Sequence, residues 1–318
     1  MGVVFHQEPE LHNPDMVVGW PGIGNVGIIT IETLRQAVQA EELGEIEPWD
    51  FFYPNKVVIR GGILTDMGFP GSKFYFKRMA KRDLLFFTGE EQPATRESVY
   101  AEGKRAYEMA NLVLDVAQKF SCRRIFTSGA AIAITHHSLQ PKVWAVANQQ
   151  ALLSDLRRYD NTILMSEVEG KGNQGSITGL NGLLIGVAKR RDIDGICLMG
   201  EIPDYLSRMP FPYPKASKAI LETLVKIIGI NITKNNLDDM IMQMEAVVNN
   251  IYQQFPQDIR ERLELRKNAS QTKQESISEE DEQWFKEHID EFFNKDKGIL
   301  WNLCNFLLSQ SCGNRRWS

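Results

Sequence analysis

Six residues near the start of the chain, Gly22-Ile23-Gly24-Asn25-Val26-Gly27, satisfy the spacing G-x-G-x-x-G. Between a strand and a helix, glycines so spaced let the backbone approach a pyrophosphate at the helix N-terminus. A dinucleotide site also needs a second strand that ends in a ribose-binding acid. The acids that follow, Glu41, Glu42, Glu45 and Glu47, lie in a polar stretch read as turns around Gly44 and Pro48. The alternative use of the glycines is a tight strand-to-helix turn without a ligand. A second glycine-rich run, Gly170–Gly179 (GKGNQGSITG), enters another helix and lacks the G-K-[ST] of a Walker loop. Gly22, Gly24 and Gly27, with Gly172, Gly175 and Ser176, are the candidate anion loops. For the second run the competing reading is a loop closed by an N-cap.

The acids offer different chemistry. Glu90 and Glu91 follow the apolar run DLLFFT, and Glu201 follows ICLM. If those runs are parallel strands, their C-terminal ends share one rim, where open α/β sheets hold ligands. Asn25 and Asp204 belong to the same rim on this reading. Asn25, Glu90, Glu91, Glu201 and Asp204 therefore form the candidate pocket or contact. Crowded carboxylates there would have raised pKa values and could do acid–base work. The competing use is helix capping, or pairing with Arg96 or Lys171.

Other chemistry is weakly signalled. His136-His137 follows an expected strand end, and adjacent residues of a strand point to opposite sides, so a surface or subunit-contact role fits them. No H-x-x-x-H completes a metal set, and no metal or cofactor is expected. The four cysteines, Cys122, Cys197, Cys304 and Cys312, form no C-x-x-C pair, and the first two read as reduced core residues. No G-x-S-x-G elbow occurs, and Ser128 in TSGAA reads as a strand-to-turn feature.

Short apolar runs alternating with amphipathic stretches must position these groups. Met16–Gly19, Lys56–Thr65, Lys73–Lys77, Asp83–Thr88, Arg124–Thr127, Val143–Ala147, Thr162–Met165 and Gly195–Met199 read as strands. Ile28–Ala40, Thr95–Phe120, Leu180–Lys189 and Lys215–Ile228 carry helical spacing, with Thr95 able to cap the second. The alternation predicts an α/β layered domain around a mostly parallel sheet. Asn236–Phe255 and Asp258–Lys267 read as further helices. The expected division is 1–233 for the α/β domain and 234–267 for a helical extension. A linker is expected over 268–278, then an acidic helix and apolar tail over 279–318.

The 318 residues carry a net charge of -5. Between Ser270 and Asp296 three lysines meet nine acids, so that segment holds -6 and the rest of the chain +1. A near-neutral body with an acidic appendage argues against a nucleic-acid binder, which presents a basic face to phosphate. No window suits a membrane span, and the first residues lack a signal-peptide pattern, so a cytoplasmic protein is expected.

Four segments occur in a telling order: Val18–Gly27 (VGWPGIGNVG), Phe87–Pro93 (FTGEEQP), Ile177–Ala188 (ITGLNGLLIGVA) and Cys197–Tyr205 (CLMGEIPDY). An amphipathic helix (KASKAILETLVKIIGINI) follows the last. The series resembles the proteasome assembly chaperone family, over roughly residues 10 to 255. The resemblance implies a three-layer, phosphorylase/hydrolase-like fold, with a central mixed sheet, flanking helices and a C-terminal helical extension. It implies homo-oligomers, trimeric or tetrameric, and binding to proteasome core subunits where an organism has them, without an established active site. The alternative is an enzyme on a small anionic substrate at the rim, such as a nucleoside, a peptide or the substrates of a carboxylate–amine ligase. Some relatives dock through a hydrophobic–tyrosine–any-residue tail, whereas this chain ends Arg316-Trp317-Ser318. The apolar stretch Gly298–Leu308 is expected to pack across a neighbouring subunit.

Overall fold

The computed structural model describes residues 2–54, 56–93, 103–167, 175–232 and 236–272, with the short pieces 283–284 and 287–289. Four apolar runs build its centre: β2 (Asp15–Gly19), β7 (Leu84–Gly89), β8 (Arg124–Ala133) and β11 (Asp194–Pro203). They pair in parallel in the order β7-β2-β8-β11. Their side chains alternate between two cores. Val17, Phe86, Phe126, Ile196 and Leu198 enter one, and Met16, Val18, Phe87, Ile125, Cys197 and Met199 enter the other. Burial on both faces explains why these strands read as continuous apolar runs.

The remaining strands make the sheet mixed. On one side β6 (Ser72–Lys77), β3 (Glu41–Ile46) and β1 (Val3–Phe5) add antiparallel neighbours. On the other, β9 (Val143–Ala147) runs antiparallel to β11 and β10 (Thr162–Leu164) parallel to β9. The sheet is therefore half parallel in its pairings, where alternation alone suggested mostly parallel. The stretch from Glu41, expected to be turns, is the strand β3. Its register shifts between Glu42 and Gly44, and Leu43 and Ile46 are buried. The expected strand over Lys56–Thr65 is a hairpin, β4 (Lys56–Arg60) and β5 (Ile63–Gly68), which forms a separate two-stranded sheet.

Helices cover both faces. α1 (Val26–Ala37), α3 (Gln150–Leu156), α5 (Pro214–Ile228) and α6 (Leu237–Gln254) pack on the first core. α2 (Gly103–Lys119) and α4 (Gly179–Arg190) pack on the second. α7 (Gln257–Thr272) inserts Ile259 and Leu263 into the first core and continues past Lys267 over residues 268–272, the first part of the stretch expected to be a linker; residues 273–278 lie outside the described residues. Ile289 is buried in the same core and Trp284 packs against it, with the Arg262 guanidinium 3.7 Å from the indole centre. Thr95, Arg96, Tyr100, Gly170, Lys171, Gly172, Phe292, Phe293 and the tail from residue 290 lie outside the described residues.

Candidate functional site

The C-terminal ends of the four parallel strands form one rim, and all four quoted segments converge on it. β2 leads through a short 3-10 turn, Ile23–Asn25, into α1. Gly24 and Asn25 both take left-handed conformations there, at φ 57° and 49°. The turn is packed against protein. The Gly24 carbonyl accepts the Tyr213 N–H at 2.7 Å, and a Cβ on Gly24 would meet Tyr213 and Ile202 at 3.0 and 3.1 Å. Gly27 lies so close to β8 that a Cβ would sit 2.3 Å from the Ser128 carbonyl oxygen. Two of the three glycines thus bring α1 and its turn against the sheet and α5. Gly22 has open space around it.

The strand after α1 does not complete a nucleotide-binding unit. β2 has β7 and β8 as its parallel neighbours, while β3 lies near the far edge and runs antiparallel to β6. β3 points the same way as β2, but β7 and β6 stand between them, so the strand after α1 does not lie beside β2 to present an acid to a ribose there.

β2 and β7 are adjacent, and the helices that follow them leave on opposite faces of the sheet. That is the switch point where open α/β sheets hold ligands. Trp20 fills it. The indole is buried, lies 5.1 Å from the Phe87 ring centre, and is so near Gly89 that a Cβ there would meet it at 2.4 Å. Its Nε1 has no hydrogen-bond partner among the described residues.

The rim acids have separate surroundings. Glu90 is exposed; its N–H donates to the Gly71 carbonyl and its carboxylate accepts the Gly71 N–H, each at 2.8 Å. Glu91 is exposed beside it. Glu201 lies within β11 rather than after it. Its carboxylate accepts the Trp144 Nε1–H at 2.8 Å and the Lys142 N–H at 3.0 Å. Asp204 opens the turn after β11 and receives the Arg266 Nη1 of α7 at 3.0 Å on each oxygen. Burial raises the Asp204 carboxyl above its usual range, and the Arg266 charge opposes that shift. β2 and β8 separate the strand of Glu90 from that of Glu201, about 14 Å at three strand spacings. The two glutamates therefore do not meet around one substrate atom.

Two residues that the sequence did not single out hold the rim together. Gln92 donates to the Pro21 carbonyl at 2.7 Å and accepts the Leu180 N–H at 3.1 Å, joining the loops of β2 and β7 to the start of α4. Asn181 donates to the Ser128 carbonyl at 2.7 Å. Both stand inside quoted segments, FTGEEQP and ITGLNG, which was the only signal available for them. Of the second glycine run, Gly175 packs against Met165 and Ser176 is exposed ahead of α4.

The histidines are buried, not at the surface. The rings of His136 and His137 are 4.1 Å apart, with Tyr252 of α6 at 5.4 and 4.9 Å from them. The Tyr205 hydroxyl accepts the His137 N–H at 2.9 Å and lies 2.8 Å from its Nδ1. Ser128, expected near a turn, sits in mid-strand on β8, and its hydroxyl donates to the Gly27 carbonyl. Among the described residues no group of three His, Cys, Asp or Glu side chains could hold a metal ion. No helix there is long and apolar enough to cross a membrane. An open groove of about 610 Å³ lies on α6 and α7, lined by Tyr252, Arg260 and Glu264 among others.

A model of the PAC2 family matches residues 16–252. The chain belongs to the PAC2 family. Its sequence is 27% identical over 242 residues to an uncharacterized protein of Methanocaldococcus jannaschii, covering 76% of this chain and 84% of that protein. Among solved structures it is similar to PbaB of Pyrococcus furiosus, an archaeal proteasome activator. That match has 28% identity and a TM-score of 0.64 over 78% of this chain and 97% of PbaB. A PAC2 family protein of Streptomyces avermitilis, 21% identical, shares the fold with a TM-score of 0.59 over 74% of this chain and 95% of its own. The PAC2 match runs from β2 into α6 and so takes in the whole rim. Family and fold are those of proteasome-assembly-chaperone-like proteins. In this PAC2 protein, rim residues such as Trp20, Gly27, Gln92, Asn181 and Glu201 make contacts within the chain, Trp20 and Glu201 between strands and Gly27, Gln92 and Asn181 between the sheet or its loops and a helix.

Proposed function

We propose that this PAC2 protein is a cytoplasmic, homo-oligomeric interaction protein that binds proteasome core subunits during their assembly and carries out no reaction of its own. The observation that carries the proteasome partner is the likeness to PbaB, an archaeal proteasome activator, which extends over 97% of that chain, while the assembly step is taken from the assembly-chaperone-like family. The rim supports it. Trp20 occupies the crevice where a ligand would enter, and Glu201 and Asp204 are engaged by Trp144, Lys142 and Arg266. The exposed pair Glu90 and Glu91, next to the loop of Asn25, is then a contact for a partner rather than a catalytic couple. Two exposed carboxylates suit a basic patch on the partner and hasten the encounter more than they tighten it.

The test is an assembly time course. Separately purified proteasome α- and β-subunits are mixed with and without the full chain, and the onset of peptidase activity is followed. A faster or more complete onset is expected with wild type, and a smaller gain with Glu90→Lys/Glu91→Lys. An identical time course with and without the chain contradicts the reading.

A further inference from the structure

The sheet face that enters the second core ends, between β6 and β7, in two small residues. Phe74 lies opposite Phe87, and two residues away on each strand Ser72 lies opposite Gly89. The rings of Phe74 and Phe87 are 4.8 Å apart, and the Trp20 indole packs on Phe87. Gly89 lacks a side chain, and the pyrrole edge of the indole lies against it. A Cβ at Gly89 would meet Trp20 Nε1 at 2.5 Å and the Glu91 carbonyl oxygen at 3.4 Å. Directly opposite side chains of paired strands stand about 5 Å apart, so Ser72 borders the same point.

Two of these three polar groups are unpaired. Trp20 Nε1 and Ser72 Oγ are both buried, and neither has a hydrogen-bond partner among the described residues. The two residues are 1 and 2% exposed. An indole N–H can only donate, a serine hydroxyl donates and accepts, and a buried donor without an acceptor is costly. Atoms sealed this deeply are out of reach of a substrate, so what pairs them is the size of a water molecule. We infer that a single buried water is bound here, accepting the Trp20 indole N–H and hydrogen-bonding to the Ser72 hydroxyl and the Glu91 carbonyl. Three polar partners are what a buried water ordinarily has. The water links the segment after β2, the start of β6 and the loop after β7. That loop carries Glu90, whose N–H and carboxylate already bond to Gly71 beside Ser72. The water extends the tie to the backbone of Glu91 and so fixes how the two carboxylates project. It also accounts for a tryptophan at the switch point, where the ring fills the crevice and its N–H keeps a polar partner. The inference concerns the packing of the chain itself and holds whether or not these acids meet a partner.

The test uses the full chain. A crystal structure at a resolution that shows ordered solvent is expected to place one water within hydrogen-bond distance of Trp20 Nε1, Ser72 Oγ and the Glu91 carbonyl oxygen. An indole N–H bonded directly to the Glu91 carbonyl, or a dry contact between the indole edge and Ser72, overturns the inference. Nuclear magnetic resonance of the chain with isotope-labelled tryptophan checks it in solution. The Trp20 indole proton, identified by its loss in Trp20→Phe, is expected to show a cross-peak at the water frequency. The cross-peak is expected to persist in Ser72→Ala, where two partners still hold the water and no hydroxyl proton can relay exchange. A cross-peak confined to wild type is relayed by the Ser72 hydroxyl and overturns the inference, as does its absence from both chains. Should Trp20→Phe or Ser72→Ala not fold, the wild-type crystal structure decides alone.

Discussion

A methyl group on Gly27 would sit 2.3 Å from the carbonyl oxygen of Ser128, whereas one on Gly22 would meet nothing within 4 Å. Both glycines belong to the same G-x-G-x-x-G, so the two substitutions separate packing from ligand binding. Gly27→Ala is expected to cost about 1–3 kcal/mol, because backbone must shift to accept the new atom. Gly22→Ala is expected to stay within about 0.5 kcal/mol. Urea denaturation of the two variants checks this. Glu201→Gln makes a second residue-scale prediction. The carboxylate accepts from two donors, and an amide group would turn its own N–H₂ toward one of them. The expected loss is about 1–3 kcal/mol in the same assay. Glu201 looked like a rim acid because ICLM was legible as a strand and the continuation to Pro203 was not. Its partners, Trp144 and Lys142, lie on and just before β9, which runs antiparallel to β11, a pairing that no local spacing reveals.

At the scale of elements, α6 and α7 close over the histidine pair. Tyr252 of α6 lies against both rings and donates to Glu264 of α7 at 2.8 Å, and Arg266 of α7 holds Asp204. Burial lowers the pKa of His136, and burial with the neighbouring His136 lowers that of His137 to about 4. Lys215 of α5 and Lys267 of α7 add to the depression, and Glu264 opposes it. The fold therefore prefers the neutral rings. Protons bind the unfolded chain more readily, so this contribution is complete above about pH 6.5 and is lost as pH falls toward 4. For His137 the loss is about 3 kcal/mol. Hydrogen exchange at pH 7 and pH 4.5 is expected to show α6 and α7 losing protection first, and His137→Gln should weaken that pH dependence. The histidines read as surface residues from sequence because the helix that buries them is more than a hundred residues away. β3 went unread because its register shift and its exposed glutamates broke the alternation that marks a strand. The long amphipathic helices and the doubly buried strands were legible, since their burial imposes a period or a continuous run.

For the whole molecule, charge and architecture divide the chain. The body is near neutral, and the acidic excess lies between Ser270 and Asp296. The half-parallel sheet places the four family segments at one rim, and that rim is built from contacts within the chain. Its exposed features include the carboxylates of Glu90 and Glu91, and the β4–β5 hairpin, which ends three residues before Gly71, the partner of Glu90, exposes an apolar face of its own. Such a surface suits assembly with other chains, and the family and the likeness to PbaB point the same way. Native mass spectrometry of the full chain mixed with purified archaeal proteasome α-subunits tests this most directly. The account predicts mixed species with whole-number ratios of the two chains. Oligomers of each protein alone, with no mixed species at any mixing ratio, would contradict it.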